Sequence, residues 1–201
     1  MSRVLGVLLF PDFELLDVFG PLEMFGLLDQ EFEIRLVAEH GPDVASKQGP
    51  RSRIDDLIGD RRKYDMLLVP GGMGTRREVQ NRELLDWLVE AAARAEIVAS
   101  VCTGSALLAR AGVLDGRRAT SNKLAFDWVR SQGPKVDWQR RARWVEDGRF
   151  FTSSGVSAGM DMALALIARL WDRERALQVA QWAEYTWRED SADDPFAPPA
   201  G

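Results

Sequence analysis

Apolar residues fall along this chain in two alternating rhythms, short continuous runs and longer stretches at helical spacing. The runs VLGVLLF (Val4 to Phe10), FEIRLVA (Phe32 to Ala38), MLLVP (Met66 to Pro70) and IVASV (Ile97 to Val101) predict strands. The near-unbroken hydrophobicity of VLGVLLF and MLLVP is what strands covered on both faces require. Between them, helical spacing predicts helices over Glu14 to Leu28 and from an Asn81 cap to about Ala95. A further helix, Thr103 to Ala111, is closed by Gly112. His40-Gly41-Pro42 reads as a turn, and the polar stretch from Val44 to Ile54 as a short hairpin.

The second half is more broken. Short strands are expected at Arg118 to Ser121, Val136 to Trp138, Arg143 to Glu146 and Arg149 to Ser153, the last two joined by an Asp147-Gly148 turn. Helices are expected around Leu124 to Ser131, Ala158 to Leu170 and Asp172 to Trp187. Residues 1–188 then form one α/β domain, and the Pro-containing stretch 189–201 a loosely ordered tail. Strands alternating with helices imply a mainly parallel sheet with helices on both faces. Ligands of such sheets bind beyond the carboxyl ends of the strands, where Asp17, Gly71, Gly72 and Cys102 fall.

Composition narrows the chemistry. The chain has 201 residues, a net charge of −5 with both signs interspersed, one cysteine and one histidine. No basic face points to nucleic acid. A single cysteine forms no internal disulfide, and no apolar run reaches the ~20 residues of a membrane span. With no leader evident in MSRVLGVLLFPDFE, a cytoplasmic location is expected. One histidine and one cysteine do not make a zinc site; a carboxylate-only magnesium or calcium site stays open, without EF-hand or P-loop spacing to mark one, and the expectation is no metal and no cofactor.

AEIVASVCTGSALLARAG is the most informative segment. An apolar strand ends at Val101, and Cys102 begins a tight turn into a helix. A side chain at that elbow faces the unpaired N–H groups and positive dipole end of the helix. A thiol of pKa roughly 8.5 is only about 3% ionised at neutral pH, and a helix terminus lowers that pKa to between ~3.5 and ~7.5. Cys102 is therefore expected to be an activated nucleophile, against the bland alternative of a small buried hydrophobe. His40, the only imidazole, follows the second strand and reads as a turn residue, which disfavours a Cys–His protease or amidotransferase.

Four segments then resemble one family. VLLFPDFELLDVFGPLEMF, DMLLVPGGMGTR, SVCTGSALLARAGVLDGRRATS and FTSSGVSAGMDMALALIARL are similar, in order and spacing, to the ThiJ/PfpI superfamily. That resemblance implies a flavodoxin-like three-layer sandwich with a cysteine nucleophile elbow. The LD-x-x-GP-x-E-x-F segment and SVCTG-S resemble its isocyanide (isonitrile) hydratase branch, which implies water addition to an isonitrile through a covalent thioimidate on Cys102. By the same resemblance Asp17 is the acidic partner of Cys102, and Thr103 the threonine that follows the nucleophile. Gly155 and Val156 match a loop whose backbone contacts the thiol, and a homodimer acting on a small molecule is implied.

Two positions depart from the pattern. Asn122 stands where several relatives carry histidine, and Ser154 where the branch carries glycine. Alternatives remain: a glyoxalase-like or deglycase-like activity on small aldehydes, or a non-enzymatic cysteine redox sensor. Longer relatives regulate transcription, but this chain shows no helix-turn-helix segment. Backbone N–H groups of Gly71, Gly72 and Thr103 are candidates for steadying charge on a substrate.

Overall fold

Continuous apolar runs become the buried middle of one sheet. A computed structural model describes residues 2–198. Its first half contains β1 (Arg3–Leu9), α1 (Leu15–Gly26), β2 (Phe32–Ala38), β3 (Asp43–Ala45), β4 (Arg51–Arg53) and β5 (Asp56–Leu57). Next come β6 (Met66–Val69), α2 (Thr75–Glu78), α3 (Arg82–Arg94), β7 (Ile97–Val101) and α4 (Gly104–Arg110). The second half holds β8 (Arg118–Ala119), α5 (Phe126–Gln132), β9 (Asp137–Trp138), β10 (Trp144–Asp147) and β11 (Phe150–Ser153). Helices α6 (Ala158–Leu170) and α7 (Arg173–Trp182) follow.

Seven strands form the main sheet in the order β10-β11-β7-β6-β1-β2-β5. All neighbours in it are parallel except the β10–β11 hairpin. β6 and β7 are buried along their whole length, as is the carboxyl half of β1, which is why those sequences carry no polar alternation. Helix α1 packs against α6 on one face, and α3 and α4 pack together. The fold is thus the three-layer α/β sandwich expected, with β3–β4 as the short hairpin and β8–β9 as a small separate pair.

Two differences from the sequence pattern have visible causes. The last helix stops at Trp182 rather than Trp187, because Glu184 adopts left-handed backbone at φ 48°. That turn sends Tyr185, Trp187 and Arg188 back onto Asp161. The Tyr185 hydroxyl donates to Asp161 Oδ1 at 3.0 Å, and Trp187 Nε1 to the Asp161 carbonyl at 3.1 Å. The stretch after residue 188, expected to be loose, is held to β10 and its approach. Arg143 N–H donates to the Ser191 carbonyl and Asp194 N–H to the Arg141 carbonyl, each at 2.8 Å. Asp194 is only 2% exposed. Residues 199–201 lie outside the described part. Among the described residues no helix is long and apolar enough to cross a membrane.

Candidate active site

Three neighbouring strands deliver the site. β1, β6 and β7 lie side by side, and their carboxyl ends run into Asp17 on α1, the Gly71-Gly72 turn and Cys102. Cys102 has φ 57°, left-handed backbone that a β-carbon disfavours, so the surrounding structure must hold it. Its N–H is shared between the carbonyls of Ser153 and Ser154, each at 3.2 Å. Its carbonyl accepts from the hydroxyls of Ser105 at 3.1 Å and Ser121 at 2.8 Å. Ser105, in α4, holds the turn locally, and Ser121 ties the elbow to the 120–124 loop; the sequence pattern singled out neither. Ser105 stood out only as a small polar residue in an apolar helix, and Ser121, within the polar stretch GRRATSNK, gave no signal.

Asp17 is fully buried, with both oxygens occupied by backbone donors. Gly71 N–H donates to Oδ2 at 2.9 Å and Val156 N–H to Oδ1 at 3.2 Å. Burial lifts the carboxyl from 3.8 to about 7; the Gly71 N–H opposes that rise, nearby Glu14 adds to it, and the Cys102 thiol and the Val156 N–H oppose it further. Desolvation wins because two neutral donors replace less stabilisation than bulk water supplied.

The thiol departs from expectation. Burial pushes Cys102 well above its ordinary value, the Asp17 charge pushes the same way, and Thr103 pulls back through its N–H and hydroxyl. The helix terminus was expected to give a thiolate. Instead the thiol is 6% exposed beside a carboxyl group, and losing water outweighs the dipole of a helix of seven residues. The resting cysteine is therefore a neutral thiol beside the acid.

The glycines serve the acid and the elbow. A Cβ on Gly71 would stand 2.5 Å from the Thr103 nitrogen and 2.9 Å from Asp17 Oδ2, so no larger residue allows that approach. Gly72 turns the chain at φ 124°. Its N–H donates to Thr103 Oγ1 at 3.1 Å, and Thr103 Oγ1 also accepts from Thr75 Oγ1 at 3.1 Å. The Gly71 and Gly72 donors suggested for a substrate are therefore already engaged.

Gly155 and Val156 join the site from the loop before α6. Val156 gives its N–H to Asp17 rather than to the thiol, and does so from φ 53°. Gly155 lies under Asn122, whose Nδ2 would be 2.2 Å from any Cβ there. Asn122 Oδ1 accepts from Ala125 N–H at 3.0 Å, so this residue caps the turn into α5. Ser154 is buried, its N–H donating to the Arg143 carbonyl at 2.7 Å. His40 takes no part: it is 83% exposed and stands 3.7 Å from Glu39.

A model of the DJ-1/PfpI family matches residues 2–169. The isonitrile hydratase of Pseudomonas putida is 35% identical over 187 residues, 92% of this chain and 79% of its own. The HTH-type transcriptional regulator GbdR of Pseudomonas aeruginosa (strain UCBPP-PA14) is 31% identical over 90% of this chain, which spans only 50% of that regulator. Among solved structures, a ThiJ/PfpI family protein from Pseudomonas syringae superposes with a TM-score of 0.85 at 31% identity. That superposition covers 100% of this chain and 80% of the other.

Proposed function

Because the chain belongs to the DJ-1/PfpI family, we propose that it hydrates isonitriles to N-formamides, with Cys102 as nucleophile and Asp17 as proton carrier. The observation behind this reading is the buried thiol–carboxyl pair, whose acid is clamped by Gly71 and Val156 and has no imidazole beside it. Likeness to the Pseudomonas putida hydratase supports the same substrate class.

The terminal carbon of R–N≡C accepts both a nucleophile and a proton, so one S–H group adds across a single atom. Cys102 passes its proton to Asp17 as Sγ attacks, and Asp17 delivers it to the same carbon. The S–H bond breaks while C–S and C–H bonds form, giving R–N=CH–S–Cys102. Asp17, again a carboxylate, takes a proton from water as the hydroxyl adds to carbon, and hands it to nitrogen. Collapse of R–NH–CH(OH)–S–Cys102 breaks the C–S bond, and the hydroxyl proton returns through Asp17 to sulfur. The product is R–NH–CHO, and the pair is restored. A carboxyl of pKa about 7 suits both directions of transfer near neutrality. Thr103 N–H and hydroxyl steady negative charge on sulfur between steps.

No cofactor enters this scheme. A homodimer is part of the same reading, and α1 leaves Leu16 and Phe19 at the surface for such a contact. The test is formamide production from cyclohexyl isonitrile by purified protein. Turnover in the wild type and none in Cys102→Ala is expected; equal rates in both would overturn the covalent route. A second reading, a cysteine sensor, predicts no turnover and rapid peroxide oxidation instead.

A further inference from the structure

The stretch after α7 returns across the molecule and brings Phe196 beside Gly155 and Val156 of the candidate active site. Its anchor is Asp194, a buried acid whose Oδ1 lies 3.6 Å from Arg143 Nη1 and whose Oδ2 lies 3.9 Å from Lys123 Nζ. The same Oδ1 accepts the N–H of Phe196 at 3.0 Å, and the Asp194 carbonyl accepts the N–H of Ala197 at 2.9 Å. A tight turn is thereby fixed from beneath by two buried cations. It holds out a phenyl ring that is itself 74% exposed.

That ring borders a cavity of about 350 Å³, together with Leu124, Val156, Gly155 and Asn122. Leu124 is fully exposed and Val156 over one-third exposed, so three large apolar side chains meet around one opening. Core packing gives no reason to present them there. Val156 belongs to both places: its side chain borders the cavity while its N–H holds Asp17 Oδ1. An apolar group seated against Phe196 and Leu124 therefore rests one residue from the acid that protonates the reacting carbon.

We propose that Phe196 and Leu124 are specificity-determining residues, forming with Val156 a seat for the apolar substituent of the isonitrile. The inference rests on the hydratase reading for its substrate. Volume and lining suit a monocyclic hydrocarbon substituent, since small-molecule sites are concave and mostly apolar. Asn122, which lacks the basicity of an imidazole, then serves as a polar rim to the seat. The buried Asp194 positions the ring without touching substrate.

The test compares kcat/KM for cyclohexyl isonitrile with that for ethyl isonitrile, in wild type, Phe196→Ala and Leu124→Ala. Both side chains are exposed, so the variants fold. The cyclohexyl-to-ethyl ratio should fall about tenfold in Phe196→Ala and by a similar factor in Leu124→Ala. A ratio within twofold of wild type in both would overturn the seat. An unchanged ratio with a dimer turned to monomers in sedimentation would do the same, and would make the patch a subunit interface. If the wild type hydrates neither isonitrile, the hydratase reading falls, and the seat is read from alkylation of Cys102. N-benzylchloroacetamide should then outpace N-methylchloroacetamide, with the preference lost in Phe196→Ala; equal preference in both proteins would sink the proposal.

Discussion

Asp17 and Val156, separated by 139 positions in the chain, share a 3.2 Å hydrogen bond from the Val156 N–H to Oδ1, made from left-handed backbone. A β-branched residue at φ 53° is strained, and a strained donor in contact with a buried acid marks a place where geometry outweighs local preference. Replacing Val156 by Gly keeps the N–H and removes the offending Cβ. Stability by thermal unfolding should rise, or fall by no more than about 1 kcal/mol. A larger loss would mean that side-chain packing, not the donor, dictates this loop.

The acid limb of kcat/KM should lie near pH 7, far above the ordinary carboxylate range, because Asp17 must be ionised to take the thiol proton and is raised to about 7. The value belongs to the thiol–carboxyl pair rather than to one group. Asp17→Asn should cost about 100-fold or more in kcat while leaving the protein folded. An acid limb near pH 4 would refute the assignment.

Stability should carry the same signature. The folded state holds the Asp17 proton more tightly than the unfolded chain, about 7 against 3.8. Its stabilising contribution is complete below pH 3.8 and is lost as pH rises through 7. Between pH 4 and 8, wild type should therefore lose on the order of 4 kcal/mol relative to Asp17→Asn. Denaturant midpoints of both proteins across that range measure the difference. A constant gap would contradict the raised value.

Cys102 should oxidise slowly. Its thiol is buried and pushed up by burial and by Asp17, so the reactive thiolate is scarce near neutrality. Hydrogen peroxide should consume it more slowly than free cysteine at pH 7, read by mass spectrometry. Faster consumption would favour the sensor reading over the hydratase.

Two adjacent acids in the terminal strap should behave oppositely. Asp194 lies under the surface between Arg143, which Asp161 also holds at 2.6 Å, and Lys123, whose buried ammonium its removal leaves without a carboxylate. Asp194→Ala should cost about 3 kcal/mol. Asp193 pairs with Arg141 at the surface, both more than half exposed, and Asp193→Ala should change stability by less than about 0.5 kcal/mol. Equal effects would show that the strap is not anchored through Asp194.

What could be read from the sequence follows from how local each feature is. Buried parallel strands announce themselves by unbroken apolar runs, so Met66 to Val69 and Ile97 to Val101 were legible, and with them the elbow at Cys102. The thiol's protonation was not, because it depends on desolvation and on Asp17, which the chain brings from 85 positions away. The engagement of the Gly72 N–H by Thr103 was hidden for the same reason. Asp193-Asp194 reads as a polar, exposed pair, and nothing local distinguishes the member that finds Arg143 beneath it. The end of the last helix at Trp182 turned on a non-glycine residue, Glu184, in left-handed backbone, which composition does not flag.

The sheet order has a consequence for how the molecule comes into being. β1, β6 and β7 stand together at its centre, so the thiol and the main acid are both supplied by the first 102 residues. The second clamp on that acid, Val156, follows β11, and the elbow's N–H finds its acceptors only on Ser153 and Ser154. A chain still emerging from the ribosome would hold the carboxyl by the Gly71 N–H alone, and the sulfhydryl on a backbone whose N–H lacks its acceptors. The full set of contacts around the thiol and the acid therefore arrives late in synthesis, when β11 pairs with β7.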